Sequence, residues 1–294
     1  MSQEKLTVDC RPARESDTQE VLELTSNIWE GDDYVPGVWA EWLADPAGQL
    51  AVADFEGRVV GLSKLTRLTS MDWWLEGLRV HPEFEGRGIA SQLHDYQLEF
   101  WLDNGGGPLR LATASFRFPV QRLCERTGFH KAGEFTPFVA PAIAEDVSSF
   151  KPLNPGEVSK AIAFTLDKGL LSLSYGLMDL GWRWLAPSEQ PLAEAANSGK
   201  AWWWREKQGL LVQSEDSGDE EASMVVIQLL ACPKRDMVEC LLDYRRLATS
   251  LGYERAGWAA SLHPDLQPIL QAAGFERDWD ASVFIYEKRH PSTA

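Results

Sequence analysis

Cysteine is scarce, and the four present, Cys10, Cys124, Cys232 and Cys240, form no CxxC pair and no zinc-ligand spacing. That pattern fits reduced thiols better than a disulfide framework and predicts no structural metal. No apolar run approaches the roughly 18 residues a membrane span needs, so membrane insertion is excluded as well. The opening MSQEKLTVDC has no apolar stretch of the kind a secretory signal carries, which leaves the cytoplasm as the expected compartment. Positive charge is also short: 28 Lys and Arg stand against 44 Asp and Glu, for a net charge of −16. Nucleic acid and anionic membrane are then poor partners, because their binding rests on neutralising phosphates. The acidic surface serves either solubility or the attraction of small cationic or zwitterionic substrates.

A length of 294 residues predicts two domains, each able to bury a core. A strand is expected at Leu6–Arg11. A helix follows, with Ser16 or Asp17 as N-cap, Glu20 as capping-box partner and Val21, Leu22, Leu24 and Ile28 as its apolar stripe. A Trp-containing helix at Val38–Leu43 ends at the DPAG turn. QLAVADFEGRVVGL reads as a hairpin turning at Glu56 and Gly57. The strand in DWWLEGLRVH leads into a glycine turn, then a helix at Ile89–Trp101, a strand at Leu109–Thr113 and a helix at Val120–Arg126 that Gly128 stops. This β, α, α, β, β, β, α, β, α, β order predicts a layered α/β (α+β) fold with a mixed central sheet.

Pro137, Pro141, Pro152 and Pro155 mark a boundary, dividing the chain into 1–145 and 146–294. The second part repeats the order hairpin, strand, helix, strand, helix, strand, and its LQAAGFERDW echoes LCERTGFHKA, so it reads as a diverged internal repeat. QSEDSGDEEAS is expected to be an acidic surface loop.

The stretch RVHPEFEGRGIASQL carries the chemistry. A Gly-x-Gly turn between strand and helix lets successive N–H groups converge, and the helix N-terminus adds partial positive charge, which suits pyrophosphate. It is neither a Walker A loop nor a complete GxGxxG, because Ser91 holds the last glycine position. Glu85 places a negative charge at its mouth, with Arg87 beside it to supply the opposite sign.

Val80-His81-Pro82 closing a strand, followed by Glu85-Gly86-Arg87-Gly88-Ile89-Ala90, resembles motif A of the GNAT N-acetyltransferases, departing from it only where Glu85 replaces Gln or Arg. RPARESD, the Glu56-Gly57 hairpin and LCERTGF extend the resemblance over residues 6 to 135. It implies an acetyltransferase fold followed by a degenerate second copy. It further implies that acetyl-CoA is the cosubstrate, its pantetheine running along Leu78, Arg79 and Val80 and its pyrophosphate resting on Glu85, Gly86, Arg87, Gly88, Ile89 and Ala90. The acceptor it implies is a small-molecule amine such as a free amino acid, with histidine a candidate. The protein would act as a monomer or homodimer. A catalytically silent acyl-CoA-binding module and a protein or peptide acetyltransferase are the alternatives.

Direct acetyl transfer needs a base for the amine and a proton for the departing thiolate, and it needs no metal. Strand alternation puts Glu76 on the same face as Leu78 and Val80, as a base acting directly or through water; otherwise it is a salt-bridged strand residue. The position where many family members carry an acidic tyrosine holds Cys124, which is either the proton donor or core packing. Asp32, Asp33 and Tyr34 fall where the family binds acceptor; the two carboxylates either hold a cation or form an Asx turn. His81 and His94 read as capping or solvated residues, and the tryptophan clusters read as core or as the wall of a pocket. LLACPKRDMVECLL, the second part's counterpart of motif A, has no glycine and so predicts no CoA site there.

Overall fold

A computed structural model of the chain describes residues 4–26, 28–144, 148–215 and 223–293. Most of the predicted acidic loop, 216–222, and the expected boundary residues 145–147 lie outside the described residues. The chain forms two compact units that interleave in sequence. One comprises Met1–Leu111, Leu123–Phe129 and Glu287–Ala294, and the other Ala112–Arg122 and His130–Tyr286. Among the described residues no helix is long and apolar enough to cross a membrane.

In chain order the first unit's region runs β1 (Asp9–Pro12), α1 (Thr18–Thr25), α2 (Val35–Ala44), β2 (Gln49–Phe55), β3 (Arg58–Arg67), β4 (Trp73–Val80), α3 (Ile89–Asn104), β5 (Leu109–Ala114) and α4 (Phe118–Arg126). The strands pair in the order β1, β2, β3, β4, β5, antiparallel except for the parallel β4 and β5. The hairpin turns at Glu56 and Gly57, both at positive φ, and Asp54 Oδ1 accepts the Gly57 N–H. Side chains alternate across this sheet. Leu50, Val52, Val59 and Leu62 pack on Val21 and Leu24 of α1 and on Val35, Trp39 and Trp42 of α2, which recur at helical spacing. Ala51, Ala53 and Val60 face the other way, onto Ile89 and Leu93 of α3.

The expected capping box at α1 does not form. Asp17 is the N-cap, but its carboxylate is taken by the Arg11 guanidinium, at 2.8 and 2.9 Å, and by the Arg14 N–H. Glu20 instead accepts the N–H of Val59 across to β3. A bidentate ion pair is the stronger bond for a carboxylate than one helix N–H, so the tertiary partners prevail over the local motif.

The second region contains β6 (His130–Pro141), β7 (Phe150–Pro152), α5 (Val158–Leu166), β8 (Met178–Asp179), β9 (Trp184–Leu185), α6 (Glu189–Asn197), β10 (Ala201–Trp204) and β11 (Gly209–Glu215). It continues with β12 (Met224–Ala231), α7 (Met237–Ser250), β13 (Arg255–Ser261), α8 (Gln267–Ala272), β14 (Glu276–Arg277) and β15 (Val283–Lys288). Its sheet runs β7, β10, β11, β12, β13, β6, with β12 and β13 the parallel pair. The hairpin β10–β11 followed by β12, α7, β13 and α8 repeats the β2–β3, β4, α3, β5, α4 succession, as the sequence order predicts. Its core gathers Trp204, Tyr244 and Trp258 with aliphatic residues of both layers, and the Trp204 indole N–H donates to buried Asp243 at 2.8 Å.

Candidate functional site

The glycine turn has the geometry that its sequence demands. Gly86 and Gly88 sit at φ +72° and +86°, backbone that side-chain-bearing residues rarely adopt, and Gly88 is the N-cap of the 16-residue α3. The first-turn N–H groups of such a helix have no partner within it and carry the positive end of its dipole. Glu85 is exposed in extended backbone, so its carboxylate need not enter the turn. One neighbour escaped the sequence reading. The chain ahead of β1 is strapped to α3 by Leu6 N–H to the Arg87 carbonyl and by Gln92, which bonds both the Leu6 carbonyl and the Val8 N–H. This brings the aliphatic stem of Lys5 within 3.7 Å of where a Cβ on Gly88 would stand.

From this turn β4 leads back to a break in the sheet. Among the described residues β4 pairs with β5 only at Trp73 and Trp74, so toward β5 the strand edge from residue 75 to 80 has no described ladder partner. Such an edge offers amide and carbonyl groups to an extended ligand. On the β3 side Lys64 faces Glu76 and Leu62 faces Arg79, so Gly77 and Leu78 together oppose the single residue Ser63. This is a β-bulge centred on Gly77 at φ +65°. Trp42 fills the space beside it: a Cβ on Gly77 would lie 2.6 Å from that indole ring. The bulge breaks strand alternation and corrects the expected placement of Glu76. Glu76 and Arg79 share the face of Leu62 that looks to α1 and α2, while Leu78 and Val80 pack toward α3.

The bulge thus gathers polar groups that are far apart in sequence. Thr66 Oγ1 donates to Glu76 Oε1 at 2.6 Å. Arg79 grips Asp33 through Nε at 2.9 Å and Nη2 at 3.0 Å, and Asp33 also accepts the Val35 N–H at 3.2 Å. Asp33 is therefore buried and neutralised by Arg79; it is no open anion for a cationic acceptor, as one reading of the sequence had it. Asp32 stands exposed on the same turn. Tyr34 lies with the Arg79 guanidinium 5.3 Å from its ring centre and Trp42 edge-on at 6.0 Å, and its hydroxyl lies near the Gly77 N–H. On the same face, Lys64 is fully buried and pairs with Asp45.

Cys124 is remote from solvent on α4, and burial pushes its thiol up to about 12. A side chain so buried is placed as a packing residue is, which counts against its expected role as proton donor. His81 accepts the Glu83 N–H, and His94 lies buried against Thr127, its pKa lowered by burial to about 4. Neither enters the cluster. The surface depression along α1, lined by residues such as Thr18, Gln19 and Leu22, includes none of the groups above.

Residues 16–129 match the model of the Acetyltransferase (GNAT) family. That stretch, under half of the chain, resembles the GNAT acetyltransferases. It is 33% identical over 116 residues to a histidine N-acetyltransferase of Oreochromis niloticus, a match covering 39% of this chain and 31% of that protein. It is 27% identical over 137 residues to the N-alpha-acetyltransferase RimI of Mycobacterium tuberculosis, covering 44% of this chain and 85% of that one. A tandem GNAT protein from the clavulanic acid biosynthesis pathway superposes with a TM-score of 0.58 at 14% identity, over 96% of this chain and 98% of that one, and shares the fold. The chain thus spans less than two thirds of the histidine acetyltransferase it matches.

Proposed function

We propose that this protein transfers acetyl from acetyl-CoA directly to the amine of a small molecule, a free amino acid with histidine as a candidate, in the cytoplasm. The observation that carries the reading is the continuous track from the glycine turn along the unpaired edge of β4 to the bulge at Gly77. At about 3.3 Å per residue, the edge from Val80 to Gly77 spans roughly 10 Å, a length suited to a pantetheine arm between pyrophosphate and thioester. Gly86 to Ala90 would hold the pyrophosphate with Arg87 and Lys5 at its side, and Leu78 to Val80 would pair with the arm. Glu76, held by Thr66, would receive the amine proton.

The division of labour we propose puts cofactor binding in residues 1–145 and gives 146–294 a supporting role. The counterpart turn from Cys232 to Met237 has no glycine and no positive-φ residue, and Asp236 sets a negative charge at the start of α7. A peptide amine is the second reading, favoured by the likeness to the N-alpha-acetyltransferase over 85% of that protein's length. Release of CoA thiol on a panel of free amino acids, simple amines and short peptides decides between them. Turnover on free amino acids supports the first reading, turnover confined to peptides the second, and saturable acetyl-CoA binding without any turnover would mark a silent module.

A further inference from the structure

Cys124, the expected source of the proton that the departing thiolate needs, is buried in α4. We propose, resting on the acetyltransferase reading above, that Tyr34 is the catalytic acid, its hydroxyl delivering a proton to the CoA sulfur at the Gly77 bulge.

Four observations lead there. The Tyr34 hydroxyl lies at the bulge itself, near the Gly77 N–H. A phenol carries a proton of its own that it can give up. The ring is held on two sides, face-on by the Arg79 guanidinium and edge-on by Trp42, and Arg79 is in turn fixed by two bonds to Asp33. Tyr34 nevertheless remains 44% exposed, open to reactants in a way that Cys124 is not. The ionisable groups around it are Arg79 and Glu76 from β4 and Asp33 from its own loop. Crowding of the hydroxyl end, aided by the Glu76 and Asp33 charges and opposed by Arg79, raises its pKa, so that the proton stays on oxygen near neutrality.

The step balances within these groups. The neutral amine nitrogen forms a bond to the thioester carbonyl carbon and its proton passes to the Glu76 carboxylate. The carbon–sulfur bond breaks with its electron pair going to sulfur, which takes the Tyr34 proton and leaves as CoA thiol. Glu76, within electrostatic reach of Tyr34, then returns its proton to the phenolate, directly or through water. No redox partner or metal takes part in this sequence.

Tyr34→Phe keeps the ring against Trp42 and Arg79 and removes only the proton. We expect kcat with the best amine to fall roughly 100-fold or more, the usual worth of a positioned acid. The KM for acetyl-CoA should stay within a factor of about two, and the alkaline limb of the kcat profile should disappear. Replacing Tyr34 by 3-fluorotyrosine, which preserves the packing and acidifies the phenol, should move that limb to lower pH and guards against a folding defect in the Phe variant. An unchanged kcat and profile in both variants, or a raised amine KM at constant kcat, would overturn the role of Tyr34 while leaving the acetyltransferase reading intact. Absence of turnover in the wild type on every amine would overturn both.

Discussion

Arg110 pins the closed end of the gap beside β4. It stands on β5 opposite Trp74, the last residue of β4 that β5 pairs, and only 5% of it is exposed. Its Nη1 bonds Asp72 Oδ1 at 2.7 Å and its Nε bonds Glu287 Oε2 at 2.8 Å. Replacing Arg110 with Leu takes one shared cation away from two buried carboxylates. Breaking one buried pair costs about 3–5 kcal/mol, because the remaining charge is desolvated and uncompensated. Asp72 keeps the Thr69 hydroxyl at 2.9 Å and Glu287 keeps Arg289 at 3.5 Å, which softens the loss and sets the expectation at about 4 kcal/mol. In a unit of this size that is a fall in Tm of about 8–16 °C. Urea unfolding followed by tryptophan fluorescence measures it. Arg110→Met combined with Asp72→Asn and Glu287→Gln should recover most of the loss, since removing the whole network also removes the stranded charges. A single-variant loss below about 1 kcal/mol, or no recovery in the triple variant, would refute the assignment of this network as a buried, mutually dependent cluster.

Two further expectations follow from the same unit. His94 is buried and its pKa falls from 6.5 to about 4 on folding, so the unfolded chain binds the extra proton between those values. Its contribution, about 3 kcal/mol at most, is fully present above pH 6.5 and is lost as pH falls toward 4. His94→Leu should flatten the pH dependence of unfolding across that window, and an unaltered slope would show that His94 is not its source. Gly77→Ala places a Cβ 2.6 Å from the Trp42 ring at φ +65°. The conformational and packing costs together predict a loss of about 2–4 kcal/mol and weakened acetyl-CoA binding. Gly106→Ala, with nothing within 4 Å of its Cβ, should change neither and serves as the control.

Much of the proposed cofactor track was legible in the sequence because it depends on local pattern. Glycines at 86 and 88 before a helical stripe, after a strand ending in Val80, specify their own backbone. The Glu56-Gly57 turn was readable for the same reason. Gly77 was not: one glycine inside an otherwise alternating strand leaves the periodicity looking intact, and only the shift in register against β3 exposes the bulge that turns Glu76 to the other face. The pairing of Asp33 with Arg79, 46 residues apart, and the diversion of Asp17 to Arg11 are tertiary choices that no local motif encodes. Lys5 carries no sequence signal at all and reaches Gly88 only because Gln92 ties the first residues to α3.

The central claim is that the turn at Gly86 to Ala90 receives acetyl-CoA by its backbone, and calorimetric titration of the wild type beside Gly88→Val tests it most directly. A valine at φ +86° cannot keep that backbone without strain, so the nest must open. The account predicts one saturable site in the wild type and an affinity at least roughly tenfold weaker in the variant, with circular dichroism showing both folded. Equal affinity in the two proteins would contradict it.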